Sequence, residues 1–195
     1  VVKGKTLKNG SFVIYAALFF TIDLSFDEIK IIPAAVMFLL FAVGGAILNK
    51  TSPFTKTIKS SILAFSVYLV AELFQRFYIP STAIVIYETK LTTVTIATLL
   101  AVITSFFCLV AVRNLLIDTK QLSKNLGGSE IPVFLPWISY CALIVLWAVG
   151  YANPFFYPYI ATPRFIAACV FIYQTAKTFV FINDEQRERA ELEEK

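Results

Sequence analysis

Residues 34–48 read AAVMFLLFAVGGAIL, and every residue in this run is either apolar or glycine. A helix that is apolar around its whole circumference belongs in the centre of a large protein or in a lipid bilayer. The chain has 195 residues, too few to hide several such helices inside one soluble globule. This stretch therefore predicts a transmembrane helix.

The composition of the whole chain agrees with that prediction. Hydrophobic residues make up 58% of the sequence and charged residues 15%, whereas about 25% of the residues in a soluble domain are charged. Six apolar runs of about 17 to 22 residues are separated by polar clusters, and a helix needs about 20 residues to cross the bilayer core. These runs are residues 10–26, 31–48, 60–79, 91–112, 132–151 and 163–182. We predict an all-α fold, a polytopic integral membrane bundle with six transmembrane helices.

The distribution of Lys and Arg predicts the orientation of this bundle. Most of the 17 basic residues lie in alternate segments of the chain. These segments are residues 1–9, 49–59, 113–131 and 183–195. Since basic loops mark the cytoplasmic face, both termini are predicted to be cytoplasmic in a multi-pass protein of the cytoplasmic (plasma) membrane. The net charge of +4 then reflects topology and contact with the lipid bilayer, and we expect no nucleic-acid partner.

The last segment changes composition abruptly. Residues 183–195 read NDEQRERAELEEK, with opposite charges four residues apart, as in Arg187 and Glu191. We predict a transmembrane domain over residues 1–182 and a charged cytoplasmic helical tail over residues 183–195. Because the chain begins at Val1 and not at Met, we expect a fragment or a processed form of a longer protein.

Two internal features carry further predictions. Gly44 and Gly45, with alanines beside them, indicate close helix packing in the second span. The connection RNLLIDTKQLSKNLGGSEIP (residues 113–132) is predicted to extend the fourth span or to lie along the membrane surface, up to a break at Gly127-Gly128. In either case its leucines are expected to face lipid. These leucines are Leu115, Leu116 and Leu122.

The sequence offers little that indicates catalysis. There is no histidine, and Cys108, Cys141 and Cys169 all lie in apolar runs without metal-ligand spacing. No catalytic or nucleotide-binding motif is present. We therefore expect no metal, no cofactor and no catalytic residues, and an enzyme is the less favoured reading.

Charged residues within the spans are the candidate functional residues, because they are costly in a bilayer. Residues 66–77 read SVYLVAELFQRF, which places Glu72, Gln75 and Arg76 near the outer end of the third span. Glu72 and Arg76 are four residues apart and can pair on one helix face. One reading is that this pair neutralises itself near the membrane surface.

The other reading is a ligand site. With the predicted orientation, five polar residues from three spans share one depth in the outer half of the bundle. These are Asp23, Glu72, Gln75, Arg76 and Arg164. Two acids and two bases suit a zwitterion, or a carboxylate held by arginine.

Two functions follow, and the sequence leaves both open. The first is the binding or transport of a small polar or charged solute through the outer site. The second is a membrane-embedded sensor or assembly subunit. Its C-terminal helix would couple to a cytoplasmic protein partner, an output domain or other membrane subunits.

Overall fold

The computed structural model describes residues 2–20, 32–78, 87–128, 131–152 and 157–193. Within these ranges the regular structure is entirely helical, with six α-helices and no strand. The helices are α1 (Val2–Phe19), α2 (Ile32–Leu48), α3 (Thr55–Tyr78), α4 (Tyr87–Asn125), α5 (Phe134–Ala152) and α6 (Tyr157–Glu193). The predicted all-α class and the number of helices are confirmed.

The helices differ from the predicted spans mainly at their ends. Helix α1 begins at Val2, well before the predicted start at residue 10. Helix α4 has 39 residues and continues to Asn125, so the connection after residue 112 extends the fourth span. Helix α6 has 37 residues and continues to Glu193, so the charged tail is part of the same helix. Polar residues therefore did not end these helices, because Lys, Arg, Glu and Gln are all good helix formers.

The prediction that Leu115, Leu116 and Leu122 face lipid is wrong. All three side chains are almost completely buried and belong to the main hydrophobic core. The reason is that α4 packs against α2, α3, α5 and α6, so its apolar stripe meets other helices instead of the outside.

Successive helices pack side by side and run in opposite directions. Helices α1 to α4 contact their neighbours in chain order, α5 contacts α4 and α6, and α6 also contacts α1. The helices thus form a closed ring, in which no described residues of α3 contact α6. The first turns of α1, α3 and α5 and the last turns of α2, α4 and α6 share one end of the bundle. We call this the polar end; both termini of the described chain lie there.

Two glycines bring α1 and α2 together near the polar end. A Cβ atom on Gly10 would lie 2.5 Å from Cγ of Leu48, and one on Gly44 would lie 2.7 Å from Cγ1 of Ile14. Such distances are far below a van der Waals contact, so only glycine allows these backbones to approach so closely. The predicted close packing at Gly44 is confirmed, and Gly10 is its partner on α1.

Large apolar side chains are also exposed on the outside of all six helices. Examples on three of them are Phe12, Phe106 and Phe134, which are 70%, 60% and 70% exposed. In the part of the chain that the structure describes, two helical segments are long and apolar enough to cross a membrane by length and composition: Val102–Asn125 and Tyr159–Glu188. Among the described helices, Ala35–Leu48 and Phe134–Trp147 are apolar but shorter. An outer surface this apolar is unusual for a soluble monomer and is consistent with membrane association.

Candidate functional site

The residues of the predicted outer site lie at the end of the bundle opposite the polar end. Glu72, Gln75 and Arg76 belong to the last two turns of α3, although their side chains lie outside the described part of the structure. Arg164 lies in the second turn of α6 and is partly buried. Asp23 lies outside the described residues. Since α3 and α6 are on opposite sides of the ring, a site that uses Arg76 and Arg164 together must reach across the bundle interior.

A buried carboxylate joins two helices at the polar end. Asp118 on α4 is almost completely buried, and its Oδ2 atom accepts two hydrogen bonds from Thr57 on α3. The backbone N–H of Thr57 donates at 2.9 Å and its hydroxyl donates at 2.8 Å. The first N–H groups of a helix have no partner within the helix and carry partial positive charge. Asp118 therefore caps the start of α3 from a neighbouring helix.

The turn between α2 and α3 is fixed to the same end of α4. Oδ1 of Asn49 accepts a hydrogen bond from the N–H of Phe54 at 2.9 Å, which closes the turn. Nδ2 of Asn125 donates to the hydroxyl oxygen of Ser52 at 2.9 Å. Together these side chains satisfy polar groups that the helix ends leave open. The hydrogen bond between Asn125 and Ser52 thus holds the α2–α3 turn against the last turn of α4.

Two glycines end α4 in a Schellman motif. The N–H of Gly128 donates to the carbonyl of Ser123 at 2.9 Å, and the N–H of Gly127 donates to the carbonyl of Lys124 at 3.0 Å. Gly127 has a φ of 74°, the left-handed conformation that this motif requires and that glycine adopts without strain. The predicted helix break at Gly127-Gly128 is confirmed.

The tail of α6 packs against this helix end. A Cβ atom on Gly128 would overlap the carboxylate of Glu185, and it would lie 2.7 Å from Oγ of Ser123. The missing side chain at Gly128 therefore makes room for Glu185. This contact joins the charged extension of α6 to the end of α4.

A tyrosine connects α1 to α6 and closes the ring of helices. The rings of Tyr15 and Phe179 meet edge to face, with their centroids 6.1 Å apart. The hydroxyl of Tyr15 donates a long hydrogen bond of 3.5 Å to the carbonyl of Ala176, and the side chain of Asn183 is also within its hydrogen-bonding reach. The carboxylate of Asp184 is close enough to act on Tyr15 electrostatically.

Exposed lysines surround the polar end. They lie at the start of α1, at the end of α2 and the start of α3, and in the last turn of α4. They are Lys5, Lys8, Lys50, Lys56, Lys59 and Lys124. The bundle thus brings together basic residues that are far apart in the sequence, and it leaves them free of the hydrophobic core.

The sequence interpretation missed the role of Asp118, although a signal for it was present. Asp118 lies three residues after Leu115 and four before Leu122, so it falls on the apolar stripe of α4. A carboxylate on a buried stripe needs donors, and this pattern could have indicated a buried cap. No comparable local signal identifies Tyr15 or Glu185, because their partners come from distant parts of the chain.

Comparison with known proteins gives no family for this chain. No protein-family model matches it, and no curated protein or solved structure shows significant similarity to it.

Proposed function

We propose that the six-helix bundle spans a membrane with its polar end in the cytoplasm. The observation that carries this proposal is the exposure of large apolar side chains on all six helices. Exposed lysines at the polar end support the direction, because basic residues are retained on the cytoplasmic side. Helices α4 and α6, at about 1.5 Å per residue, exceed the ~30 Å hydrocarbon core, and both extend beyond it at the polar end.

Cysteine labelling from outside intact cells tests this placement. In a variant with Cys108, Cys141 and Cys169 replaced by alanine, an impermeant thiol reagent should modify Phe156→Cys. The same reagent should modify Lys56→Cys only after the cells are permeabilised. Rapid modification of Lys56→Cys in intact cells, with none at Phe156→Cys, would overturn the placement.

We further propose that the protein is a membrane-embedded sensor or assembly subunit that couples to a cytoplasmic partner through α6. The observation that supports this proposal is that α6 is one helix from Tyr157 to Glu193, with no Gly or Pro after Pro163. A helix without such residues bends only gently, so displacement within the bundle is transmitted to the tail. The contact of Glu185 with Gly128 places the tail against the end of α4.

Truncation after Glu185 tests this function, because it keeps the contact with Gly128 and removes the exposed part of the tail. The truncated protein should insert normally and should no longer retain its partner during purification from membranes. A second variant should carry an alanine-rich helix in place of residues 186–195. If this second variant also loses the partner, the partner recognises the charged side chains of the tail. Retention of every partner by the truncated protein would contradict the proposal.

A second candidate function is the binding or transport of a small polar solute at the outer end. The observation in its favour is that α3 carries Glu72, Gln75 and Arg76 to the same end of the bundle at which α6 carries Arg164. Arginines beside a carboxylate suit an amino acid or a small carboxylate.

Thermal-shift measurements with a panel of amino acids and small carboxylates test this candidate. A ligand that stabilises the parent protein should fail to stabilise Glu72→Ala and Arg76→Ala, tested separately. Lys59→Ala is the matched control, since Lys59 is an exposed charge on the same helix but near the polar end. Equal stabilisation of all four proteins would remove the outer residues from the site.

A further inference from the structure

Several Ser and Thr hydroxyls in these helices share one arrangement. They donate to the backbone carbonyl four residues earlier, which is the ordinary way for Ser or Thr to be satisfied inside a helix. The residues are Ser60, Ser66, Thr104, Thr119, Ser139 and Thr178. Among the described side chains, the buried hydroxyls of Ser11, Ser61 and Thr175 have no hydrogen-bond partner.

Ser11 and Thr175 lie on the seam between α1 and α6. Ser11 is one helical turn before Tyr15, and Thr175 is one turn before Phe179, so each shares a helix face with one of the two rings in contact. Because α1 and α6 run in opposite directions, the two hydroxyls lie on either side of that ring contact. Ser61 is on α3, which contacts neither α1 nor α6 within the described residues, so it is not part of this seam.

The same seam is polar toward the polar end of the bundle. The hydroxyl of Tyr15 lies between Ser11 and Thr175 along the helix axes, and its bond to Ala176 is long at 3.5 Å. Asn183 is within reach of that hydroxyl, and the next residue, Asp184, is exposed. Polar groups thus lie on both sides of the ring contact, with Ser11 and Asn183 toward the polar end and Thr175 on the other side.

Buried hydroxyls without a protein partner destabilise the folded state unless something else satisfies them. In protein interiors this partner is usually water, which typically makes two to four hydrogen bonds at a polar site. Ser11, Tyr15 and Thr175 offer hydroxyls that can both donate and accept. The seam therefore has the chemistry of a water site, in contrast to the apolar interior around Phe38 and Phe41.

We propose that the α1–α6 seam binds water at Ser11 and at Thr175, on either side of the ring contact. The site at Ser11 is the one nearer the polar end. The site at Thr175 lies deeper and ends at Phe171, which packs against the ring of Tyr140 one turn further along α6. The bound species is water.

Thiol accessibility tests the proposal on the purified protein in detergent. Ser11→Cys and Thr175→Cys, made in a background without native cysteines, are treated with a small water-soluble methanethiosulfonate. Ala17→Cys on α1 and Ala168→Cys on α6 are matched controls, because both alanines are buried on the same two helices. Thiols in contact with water form the reactive thiolate more readily, so Ser11→Cys and Thr175→Cys should react about tenfold faster than the controls. Equal rates at all four positions would overturn the proposal.

A measurement on the unmodified chain decides the question if a cysteine variant fails to fold. X-ray-generated hydroxyl radicals arise from bound water and modify the side chains next to it. Phe179 beside the seam and Phe41 on α2 are both completely buried, so bulk solvent reaches neither. Phe179 should be modified several times faster than Phe41, and equal modification of the two would contradict a water site.

Discussion

The carboxylate of Asp118 on α4 accepts both the backbone N–H and the hydroxyl of Thr57 on α3, two residues that are 61 positions apart in the chain. Both donors use the same oxygen, Oδ2. The pair is buried, so water cannot replace either hydrogen bond at low cost. This relationship sets the register of α3 against α4 at the polar end.

Asp118→Ala should destabilise the protein because it leaves two buried donors of Thr57 without an acceptor. Loss of a cap and of a charged acceptor each lowers the free energy of unfolding, and we expect a loss of about 1–3 kcal/mol. Asp118→Asn retains a carbonyl oxygen and should lose less. Thermal unfolding in detergent measures both variants, and an unchanged midpoint for Asp118→Ala would show that the pair is dispensable.

A double-mutant cycle separates this pair from general damage to α4. Thr57→Val removes the hydroxyl but keeps the backbone N–H. The double variant with Asp118→Ala should lose less stability than the sum of the two single losses, by about 0.5 kcal/mol or more. Simple additivity would mean that the two side chains act independently.

Gly128→Ala should loosen the contact between the end of α4 and the tail of α6. The new Cβ would overlap the carboxylate of Glu185, which is the end of a flexible and partly exposed side chain, and it would crowd the buried Ser123. Because Glu185 can turn away, we expect a loss of about 1 kcal/mol, at the low end for overpacking. In a Glu185→Ala background the same change should cost clearly less, because its main obstacle is gone. Equal costs in both backgrounds would show that Glu185 does not confine this position.

Gly10→Ala should weaken the packing of α1 on α2. The added methyl would lie 2.5 Å from Cγ of the fully buried Leu48, which has little room to move, and we expect a loss of about 1–3 kcal/mol. Gly4→Ala on the same helix is the control, since nothing lies within 4 Å of its Cβ position. That change should be neutral or stabilise the helix by up to about 1 kcal/mol. The two variants are compared by their unfolding midpoints, and similar behaviour would contradict the close approach.

Arg187→Ala should leave stability nearly unchanged, although Arg187 forms an ion pair. Nε of Arg187 lies 3.1 Å from Oε1 of Glu191, and both side chains are exposed on the tail of α6. Exposed pairs four residues apart on a helix contribute about 0.3–0.5 kcal/mol. The expected shift of the unfolding midpoint is therefore small, and a large shift would indicate that the tail packs against more of the protein.

The sequence predicted the helices well because long apolar runs leave few alternatives to a helix. It also predicted the close packing at Gly44 and the break at Gly127, where the absence of a side chain has a direct geometric meaning. The burial of Leu115 could not be predicted in the same way, since leucine suits both lipid and a neighbouring helix. The position of Asp118 on an apolar stripe indicated burial but not its partner, and the contact of Glu185 joins distant segments that composition and periodicity do not connect. The ligand site predicted at the outer end of the bundle still depends on the sequence alone.

The single helix α6 has a mechanical consequence. Its 37 residues make a rod of about 55 Å, and Pro163 near the outer end removes a backbone hydrogen bond at which the rod can pivot. With such a pivot, a tilt of about 10° would move the far tip through roughly 8 Å and the part beside α1 about half as far. A small rearrangement beside Arg164 would thus be amplified into a larger displacement of the helix end at Glu193.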